Sequence, residues 1–333
     1  MITKVVLGVN VILKLGILGA GRIGRIHAKN ALANSYAEVV AICDPFVTKN
    51  GALTREEDFW NANFDAVIIA SPSDLHAKHV QKAIELKKHI FCEKPLTQNL
   101  SLHNKLKEQL KNYPKIFHIG FNRRFDEDFS LIAHNVKLGE IGQAYYLRIT
   151  SRDPGLPSLE YLKSSGGMFF DMSIHDFDMA RFIMGEEVSE VYARGAALIN
   201  PELAQFNDID TALITLKFTN GAFGVIDNSR QAVYGYDQRV EIFGSLGMLS
   251  NQNHRSTYLE QSDTLGTHSE PLLNFFLERY EKSYELELQN FINACLNLPA
   301  SIASIDDSLK AIKIAYAAKL SLEQNRSVKI EEI

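Results

Sequence analysis

The sequence has few cysteines and no excess of basic residues, and these two absences exclude several classes of protein. Its three cysteines, Cys43, Cys92 and Cys295, are too few and too widely spaced for a disulfide framework or a metal cluster. The formal net charge of -5 disfavours nucleic acid or an anionic membrane as the main partner. We therefore expect no metal, no nucleic acid and no membrane partner. The sparse cysteines also suit a reducing cytoplasm.

Apolar runs long enough to cross a bilayer are missing as well. The N-terminal stretch over residues 1–13 is apolar, but it is too short to span a membrane and is interrupted by Asn10. Lys14 and a glycine loop follow it, where a signal peptide would end in a small-residue cleavage site. We expect either a leader or an additional edge strand there. The full length of 333 residues favours two domains.

A glycine-rich loop lies between an apolar run over 15–18 and a predicted helix over 22–33. The loop consists of Gly19, Ala20, Gly21, Arg22, Ile23 and Gly24. Asp44 ends the next apolar run, about 20 residues after the last glycine, which is the spacing of a dinucleotide-binding βαβ unit. The first glycine permits a tight turn, the second lets the backbone approach a pyrophosphate, and the third lets helix and strand pack closely. The pattern predicts a dinucleotide bound at the helix N-terminus.

The choice between NAD and NADP depends on two side chains. Asp44 would accept hydrogen bonds from the adenosine ribose and would repel a 2′-phosphate, which favours NAD. Arg22 would attract that phosphate and so favours NADP. Because the carboxylate is placed to contact the hydroxyl itself, we expect NAD.

Strands and helices alternate up to about residue 122, which predicts a parallel sheet. Buried strands are expected over 66–70, 89–92 and 116–120, and helices from an N-capping turn at 71–74 to Leu86 and over 100–110. The segment between Asp44 and Asp65 is polar, with Trp60 as its main apolar anchor. It is short, which predicts a missing or truncated strand at the edge of the sheet.

The remainder of the chain predicts an antiparallel sheet with helices on one face. A loop is expected over 152–165, and the dipeptide Asn220-Gly221 indicates a type I′ hairpin. The expected strands are 145–151, 188–197, 212–218, 223–230, 239–243 and 248–250, and the expected helices are 129–138, 169–184, 284–296 and 305–324. We predict an α/β protein. Its N-terminal Rossmann domain covers 14–122, and its C-terminal α+β domain with a large open, mainly antiparallel sheet covers 123–333.

Two motifs together resemble one known family. Glu93-Lys94-Pro95 follows a predicted strand, and residues 166–176 open a helix in the second domain. This combination resembles the glucose-fructose oxidoreductase/inositol dehydrogenase/rhizopine-catabolism (Gfo/Idh/MocA) family over about residues 14–330. Five further segments are similar to the inositol 2-dehydrogenases of that family, and they are 120–126, 151–154, 174–182, 234–239 and 275–280.

The resemblance implies a catalytic set of Lys94, Asp171 and His175. A neutral imidazole suits removal of a proton from a secondary alcohol, because its pKa lies near neutrality. The family pattern gives that role to His175 and assigns Lys94 to the reacting oxygen, where its charge can stabilise an alkoxide. Asp171 is expected four residues before His175 on one helix face, binding hydroxyls or orienting the base. The resemblance also implies a cis bond between Lys94 and Pro95.

Further residues match family positions near the ligands. The resemblance places Arg123, Asp153 and Tyr234 at the substrate, and it places Ser71, Pro72, His76, Glu93 and Asn122 along the cofactor. It implies NAD-dependent oxidation of a cyclic polyol, with myo-inositol converted to 2-keto-myo-inositol (scyllo-inosose). It also implies a homotetramer formed through the open face of the second sheet. The same chemistry on scyllo-inositol or an aldose such as glucose is an alternative, and a non-catalytic NAD-binding regulator is another.

Overall fold

The computed structural model describes residues 12–47 and 52–333, and the chain divides into two compact units. The first unit contains the chain up to Thr97, Asn104–Gly120 and Tyr284–Ile305, and the second contains Gln98–His103, Phe121–Ser283 and Asp306–Ile333. This division differs from the predicted continuous domains 14–122 and 123–333. The leader or edge strand predicted over 1–13 lies almost entirely outside the described residues.

The first unit is built on a parallel five-stranded sheet with the strand order β2-β1-β3-β4-β5 among the described residues. Its strands are β1 (Leu13–Leu18), β2 (Ala37–Cys43), β3 (Ala66–Ile69), β4 (His89–Glu93) and β5 (Phe117–Gly120). Its helices include α1 (Arg22–Leu32), α2 (Glu56–Trp60) and α3 (His76–Glu85), and α4 (Leu100–Leu110) runs across the division. The predicted Rossmann domain is confirmed, because every strand runs parallel and helices connect them.

A helix from the end of the chain completes the core of the first unit. In α10 (Glu281–Cys295), Leu288, Phe291 and Ile292 are buried against Leu15 of β1 and Phe91 of β4. The prediction placed this helix in the second domain, because the sequence shows its apolar stripe but not the sheet against which that stripe packs.

The short segment after β2 keeps a remnant of the expected strand. Leu53 forms a single parallel bridge with Cys43, and α2 follows it. Phe59 and Phe64 are fully buried there, whereas Trp60 is partly exposed, so the prediction of Trp60 as the main anchor is wrong. The turn before α3 also lacks the predicted side-chain cap: a 3₁₀ turn over Ser73–Leu75 leads into the helix instead.

The second unit contains a seven-stranded sheet with the order β11-β10-β6-β9-β8-β7-β14 among the described residues. Its strands are β6 (Ala144–Arg152), β7 (Val188–Ala196), β8 (Thr211–Phe218), β9 (Phe223–Ser229), β10 (Asp237–Gly244), β11 (Met248–Ser250) and β14 (Val328–Lys329). All neighbours pair antiparallel except β6 and β9. The predicted mainly antiparallel sheet is therefore confirmed.

The second unit also contains helices. They are α5 (Glu127–Lys137), α6 (Leu159–Ser165), α7 (Met168–Asp171), α8 (Ser173–Met184), α9 (Phe276–Arg279) and α11 (Ile305–Gln324). The helix α8 packs against β6 and β9. On the other face the side chains of Leu213, Phe223 and Phe243 are about half exposed.

Three local predictions for the second unit are wrong. The loop predicted over 152–165 contains α6, which Ser158 caps by accepting a hydrogen bond from the Tyr161 amide. The helix predicted over 169–184 is divided at Met172 into α7 and α8. The turn at Asn220-Gly221 is not type I′, since of these two residues only Gly221 has a positive φ, of 90°. It is a three-residue turn closed by a left-handed glycine.

A small hairpin of β12 (Glu260–Asp263) and β13 (Gly266–Ser269) was not predicted, because its residues are polar and exposed and carry no apolar alternation. Within the described ranges, the structure contains no helix that is long and apolar enough to cross a membrane.

Candidate active site

The glycine loop of the first unit has the local geometry that its sequence predicts. Gly19 has a φ of +102°, and a Cβ there would lie 2.3 Å from the Ala70 carbonyl oxygen. A Cβ at Gly24 would lie 1.9 Å from the Gly19 carbonyl oxygen, so close packing requires both glycines. A Cβ at Gly21 would meet nothing within 4 Å, and no side chain caps the helix that begins there. The loop therefore presents open backbone N–H groups to an anion.

Asp44 lies beside this loop at the end of β2. One oxygen of its carboxylate accepts a hydrogen bond of 2.8 Å from the Ala20 amide, and the other accepts one of 2.9 Å from the Phe46 amide. The carboxylate is thus fixed against the loop by the backbone. Arg22 is exposed at the first position of α1.

His76 ties the ends of β3 and β4 together. It is 1% exposed, and its Nε2 and Nδ1 lie 2.8 Å from the Ser71 carbonyl oxygen and 2.9 Å from the Pro95 carbonyl oxygen. Burial lowers the pKa of His76, and the two carbonyl contacts oppose that shift. The Ser71 hydroxyl in turn contacts His79 at 2.9 Å, while Pro72 lies exposed beside it. His76 therefore acts on the two loops and is not itself open to a ligand.

The segment after β4 carries the predicted lysine. The bond between Lys94 and Pro95 is cis, which confirms the expectation. Glu93 is buried, and His27 of α1 contacts its Oε1 at 2.7 Å. A Cβ at Gly120 would lie 2.8 Å from the Oε2 of Glu93, so only a glycine fits opposite this carboxylate without a shift. These contacts hold the backbone immediately before Lys94.

In the second unit, a buried ion pair organises the polar residues. Arg123 donates a hydrogen bond of 2.6 Å to Asp176, and Asn228 of β9 donates one of 2.8 Å to the other oxygen of that carboxylate. Burial alone would lower the pKa of Arg123, but the charges of Tyr280 and Asp176 raise it. Arg123 is thus a fixed cation, held mainly by protein groups.

Asp171 and His175 occupy the junction between two helices. Asp171 ends α7, and His175 lies in the first turn of α8, so the predicted single helix face is replaced by a break at Met172. The Tyr161 hydroxyl donates to one oxygen of Asp171 at 2.8 Å, and Arg230 donates to the other at 3.2 Å. The His175 ring packs edge-on to the Phe121 ring, with centroids 6.4 Å apart.

Asp153 follows β6 and belongs to the same electrostatic cluster. Burial raises the pKa of Asp153 to about 7, and the charges of Arg230 and Arg123 oppose the shift. Its backbone is fixed as well, since its amide donates to the Ser229 carbonyl oxygen at 2.9 Å. Asp153 therefore titrates near neutral pH.

The structure also gives the surroundings of two further predicted site residues. The Tyr234 hydroxyl donates to Asp237 at 2.7 Å and accepts from Arg152 at 2.7 Å. Alternate residues of a strand face opposite sides, so Arg152 and Asp237 lie on the opposite side of the sheet from Ser151 and Gln238. Asn122, predicted at the cofactor, belongs to the second unit and is buried.

Several members of the second unit's cluster were not predicted from the sequence. They are Ser151, Tyr161, Asp176, Asn228, Arg230, Gln238 and Tyr280. Ser151 and Asp176 lie inside segments that resemble the family, and this resemblance could have identified them as site residues. Tyr161 and Arg230 lie outside these segments. Tyr161 is in the stretch that was predicted to be a loop, and Arg230 is at the end of a predicted strand.

Models of one family match both parts of the chain. Residues 13–121 match the oxidoreductase family, NAD-binding Rossmann fold, and residues 129–250 match the GFO/IDH/MocA C-terminal domain. The chain belongs to the GFO/IDH/MocA oxidoreductase family. It is accordingly an NAD-dependent oxidoreductase, and NAD is its cofactor. The open face of Gly21 and the backbone-held carboxylate of Asp44 fit this cofactor.

Individual family members are similar along almost the whole chain. A myo-inositol 2-dehydrogenase of Thermotoga maritima is 45% identical, covering 96% of this chain and 99% of its own. An inositol 2-dehydrogenase of Rhizobium meliloti is 38% identical, covering 95% and 99%. A crystal structure of the scyllo-inositol dehydrogenase of Lactobacillus casei with bound NAD(H) and scyllo-inositol superposes with a TM-score of 0.89 at 29% identity, covering 96% and 99%.

Proposed function

We propose that this protein oxidises the C2 hydroxyl of myo-inositol to give 2-keto-myo-inositol and NADH. The observation that carries the proposal is the buried polar cluster around Asp171, Asp153 and Arg123, on a chain whose relatives are inositol dehydrogenases. Carboxylates and guanidinium groups together recognise a ring of hydroxyls that both donate and accept hydrogen bonds. An apolar substrate would offer no hydrogen-bonding atom to any of these groups.

Three residues perform the proposed chemistry. His175 accepts the hydroxyl proton as the carbonyl bond forms, and Lys94 stabilises the negative charge that develops on the oxygen. Asp171 accepts a hydrogen bond from the substrate and orients it. When bound, NAD supplies the acceptor for the hydride that leaves the carbon. The glycine loop holds the pyrophosphate, and Asp44 holds the adenosine ribose.

The direct test is formation of NADH, followed by its absorbance, with myo-inositol as the substrate. Scyllo-inositol and glucose serve as comparisons, and NADP replaces NAD in a parallel series. We expect the highest kcat/KM with myo-inositol and NAD. Binding of NADH without turnover of any of these polyols would contradict the proposal and favour a non-catalytic NAD-binding regulator.

Scyllo-inositol is the alternative substrate that a specific observation favours. The Lactobacillus casei relative, which is bound to scyllo-inositol, has the same fold at a TM-score of 0.89. The two inositols differ only in the orientation of one hydroxyl, so the same cluster accommodates the chemistry of either. The ratio of the two kcat/KM values decides between them.

We also propose that the protein works as a cytoplasmic homotetramer. The exposed sheet face of the second unit supports the assembly, since Leu213, Phe223 and Phe243 are apolar and half exposed there. Three cysteines, all buried and reduced, suit a reducing compartment.

A further inference from the structure

Arg230 is a buried cation immediately after β9 to which the proposed chemistry gives no role. Its side chain is 1% exposed, and its Nη1 donates a hydrogen bond of 3.2 Å to the Oδ2 of Asp171. The Tyr161 hydroxyl donates to the Oδ1 of the same carboxylate at 2.8 Å. Because each oxygen accepts from a different side chain, these two contacts set the plane of the Asp171 carboxylate.

The charge of the same guanidinium also acts on a second carboxylate, that of Asp153. The charge of Arg230 opposes the rise in the pKa of Asp153 that burial causes, whereas the charges of Asp171 and Asp176 add to the rise. Arg123, the other cation near Asp153, is bound to Asp176 at 2.6 Å. Arg230 therefore interacts with both carboxylates, through a hydrogen bond with Asp171 and through its charge with Asp153.

Part of the Arg230 side chain lowers the stability of the fold. Its Nε and Nη2 are buried and have no hydrogen-bond partner among the residues that the structure describes. Leaving buried donors unsatisfied destabilises a fold, and a native protein seldom retains such groups away from functional sites. An apolar side chain of similar length would fill the same space without this cost.

We propose that Arg230 is a positioning residue: it fixes the Asp171 carboxylate and compensates the charge that Asp171 and Asp153 bring together. Its catalytic consequence rests on the proposed function, because that proposal gives Asp171 its role. Its electrostatic consequence for Asp153 does not depend on any substrate.

The kinetic test compares Arg230→Met, which removes the charge, with Arg230→Lys, which keeps it. We expect kcat with myo-inositol to fall on the order of 10²-fold in Arg230→Met, the scale of a misplaced reacting group, and to recover partly in Arg230→Lys. The matched control is Arg181→Met, since Arg181 is also buried in the second unit but pairs with Glu187 at 2.8 Å. Equal losses of kcat in Arg230→Met and Arg181→Met would overturn the proposal.

The second test needs no substrate and measures the free energy of unfolding against pH. A carboxyl whose pKa is raised by folding binds a proton in the native state that the unfolded state has lost, so stability falls as pH rises toward that pKa. In Arg230→Met the pKa of Asp153 rises further, and we expect this fall to extend above pH 7. The extension should vanish in the double variant Arg230→Met/Asp153→Asn.

The two arms separate failure of this proposal from failure of the proposed function. If the wild-type protein oxidises none of the polyols, the proposed function fails, and the unfolding arm still decides the electrostatic role of Arg230. If Arg230→Met and the double variant show the same pH dependence of stability, that role is refuted even in an active enzyme. Should Arg230→Met not fold, the same comparison is made with Arg230→Gln, which is smaller and polar.

Discussion

At the scale of the residue, the proposed chemistry depends on an imidazole placed at the start of a helix. The His175 amide donates to the Met172 carbonyl oxygen at 3.3 Å, which fixes the backbone at the break between α7 and α8. Asp171 lies on the other side of that break, between Tyr161 and Arg230. The base and the carboxylate are thus each held by their own contacts and not by a shared helical turn.

Replacing the proposed base tests its role directly. We expect His175→Ala to lower kcat with myo-inositol by ~10²–10⁴, because general base catalysis contributes that much. Affinity for NADH, measured by fluorescence titration, should stay at the wild-type value. The control is His254→Ala, since His254 pairs with Asp128 at 2.6 Å elsewhere in the second unit. Unchanged kcat in His175→Ala would contradict the assignment.

A second histidine makes stability depend on pH. Burial and the charge of Lys115 lower the pKa of His89 to about 4, and its Nδ1 accepts a hydrogen bond of 3.1 Å from the Ile116 amide. The unfolded state therefore takes up the proton first, and stability falls as pH drops from about 6.5 to about 4.

We expect His89 to account for a loss on the order of 1–2 kcal/mol over this range, allowing for partial exposure. The variant His89→Asn keeps an acceptor for the Ile116 amide but does not titrate. Urea unfolding at several pH values should show a flatter dependence in this variant. An equally steep dependence would mean that other groups cause the loss.

At the scale of the element, the loop between β1 and α1 contains two glycines that are needed for different reasons. Gly24 is required by packing, because a Cβ there would overlap the Gly19 carbonyl oxygen at 1.9 Å. A Cβ at Gly21 would meet nothing within 4 Å, so the lack of a side chain there leaves space for a ligand that approaches the loop.

These two glycines therefore predict opposite outcomes. Gly24→Ala should lower the free energy of unfolding by about 1–3 kcal/mol, as overpacking does. Gly21→Ala should leave that free energy near the wild-type value and weaken NAD binding, since its methyl group occupies the approach of the pyrophosphate. Thermal unfolding without cofactor and titration with NADH measure the two effects. Wild-type NADH affinity in Gly21→Ala would exclude pyrophosphate binding at this loop.

At the scale of the whole molecule, the exposed face of the second sheet supports the proposed tetramer. Phe223 is 58% exposed and packs edge-on to Tyr146, with ring centroids 5.8 Å apart. Association with other subunits would bury the apolar residues on the open face of this sheet.

A charge on this face should prevent association. We expect Phe223→Glu to shift the mass measured by light scattering from a tetramer toward smaller species, because an interface does not tolerate an unpaired buried charge. The control is Leu265→Glu, at an exposed position of the small hairpin. If wild-type protein and Phe223→Glu have the same mass, this face is not the interface.

The sequence by itself determined the nucleotide-binding half of the protein. A phosphate-binding loop is a local device, in which glycines, a helix N-terminus and a nearby carboxylate follow one another within a short stretch. Gly19 and Gly24 consequently have the tight turn and the close packing that their spacing predicts, and Asp44 lies beside them. The family motifs likewise identified the cis bond at Pro95.

Only the tertiary structure decided which side chains surround Asp171 and which core receives α10. Arg230 is 59 residues from Asp171 along the chain, and no periodicity relates the two. The apolar stripe of α10 could pack against any apolar surface. It is buried against β1 and β4 because the chain returns to the first unit over Tyr284–Ile305. Contacts between residues distant in sequence arise from packing, which local patterns do not encode.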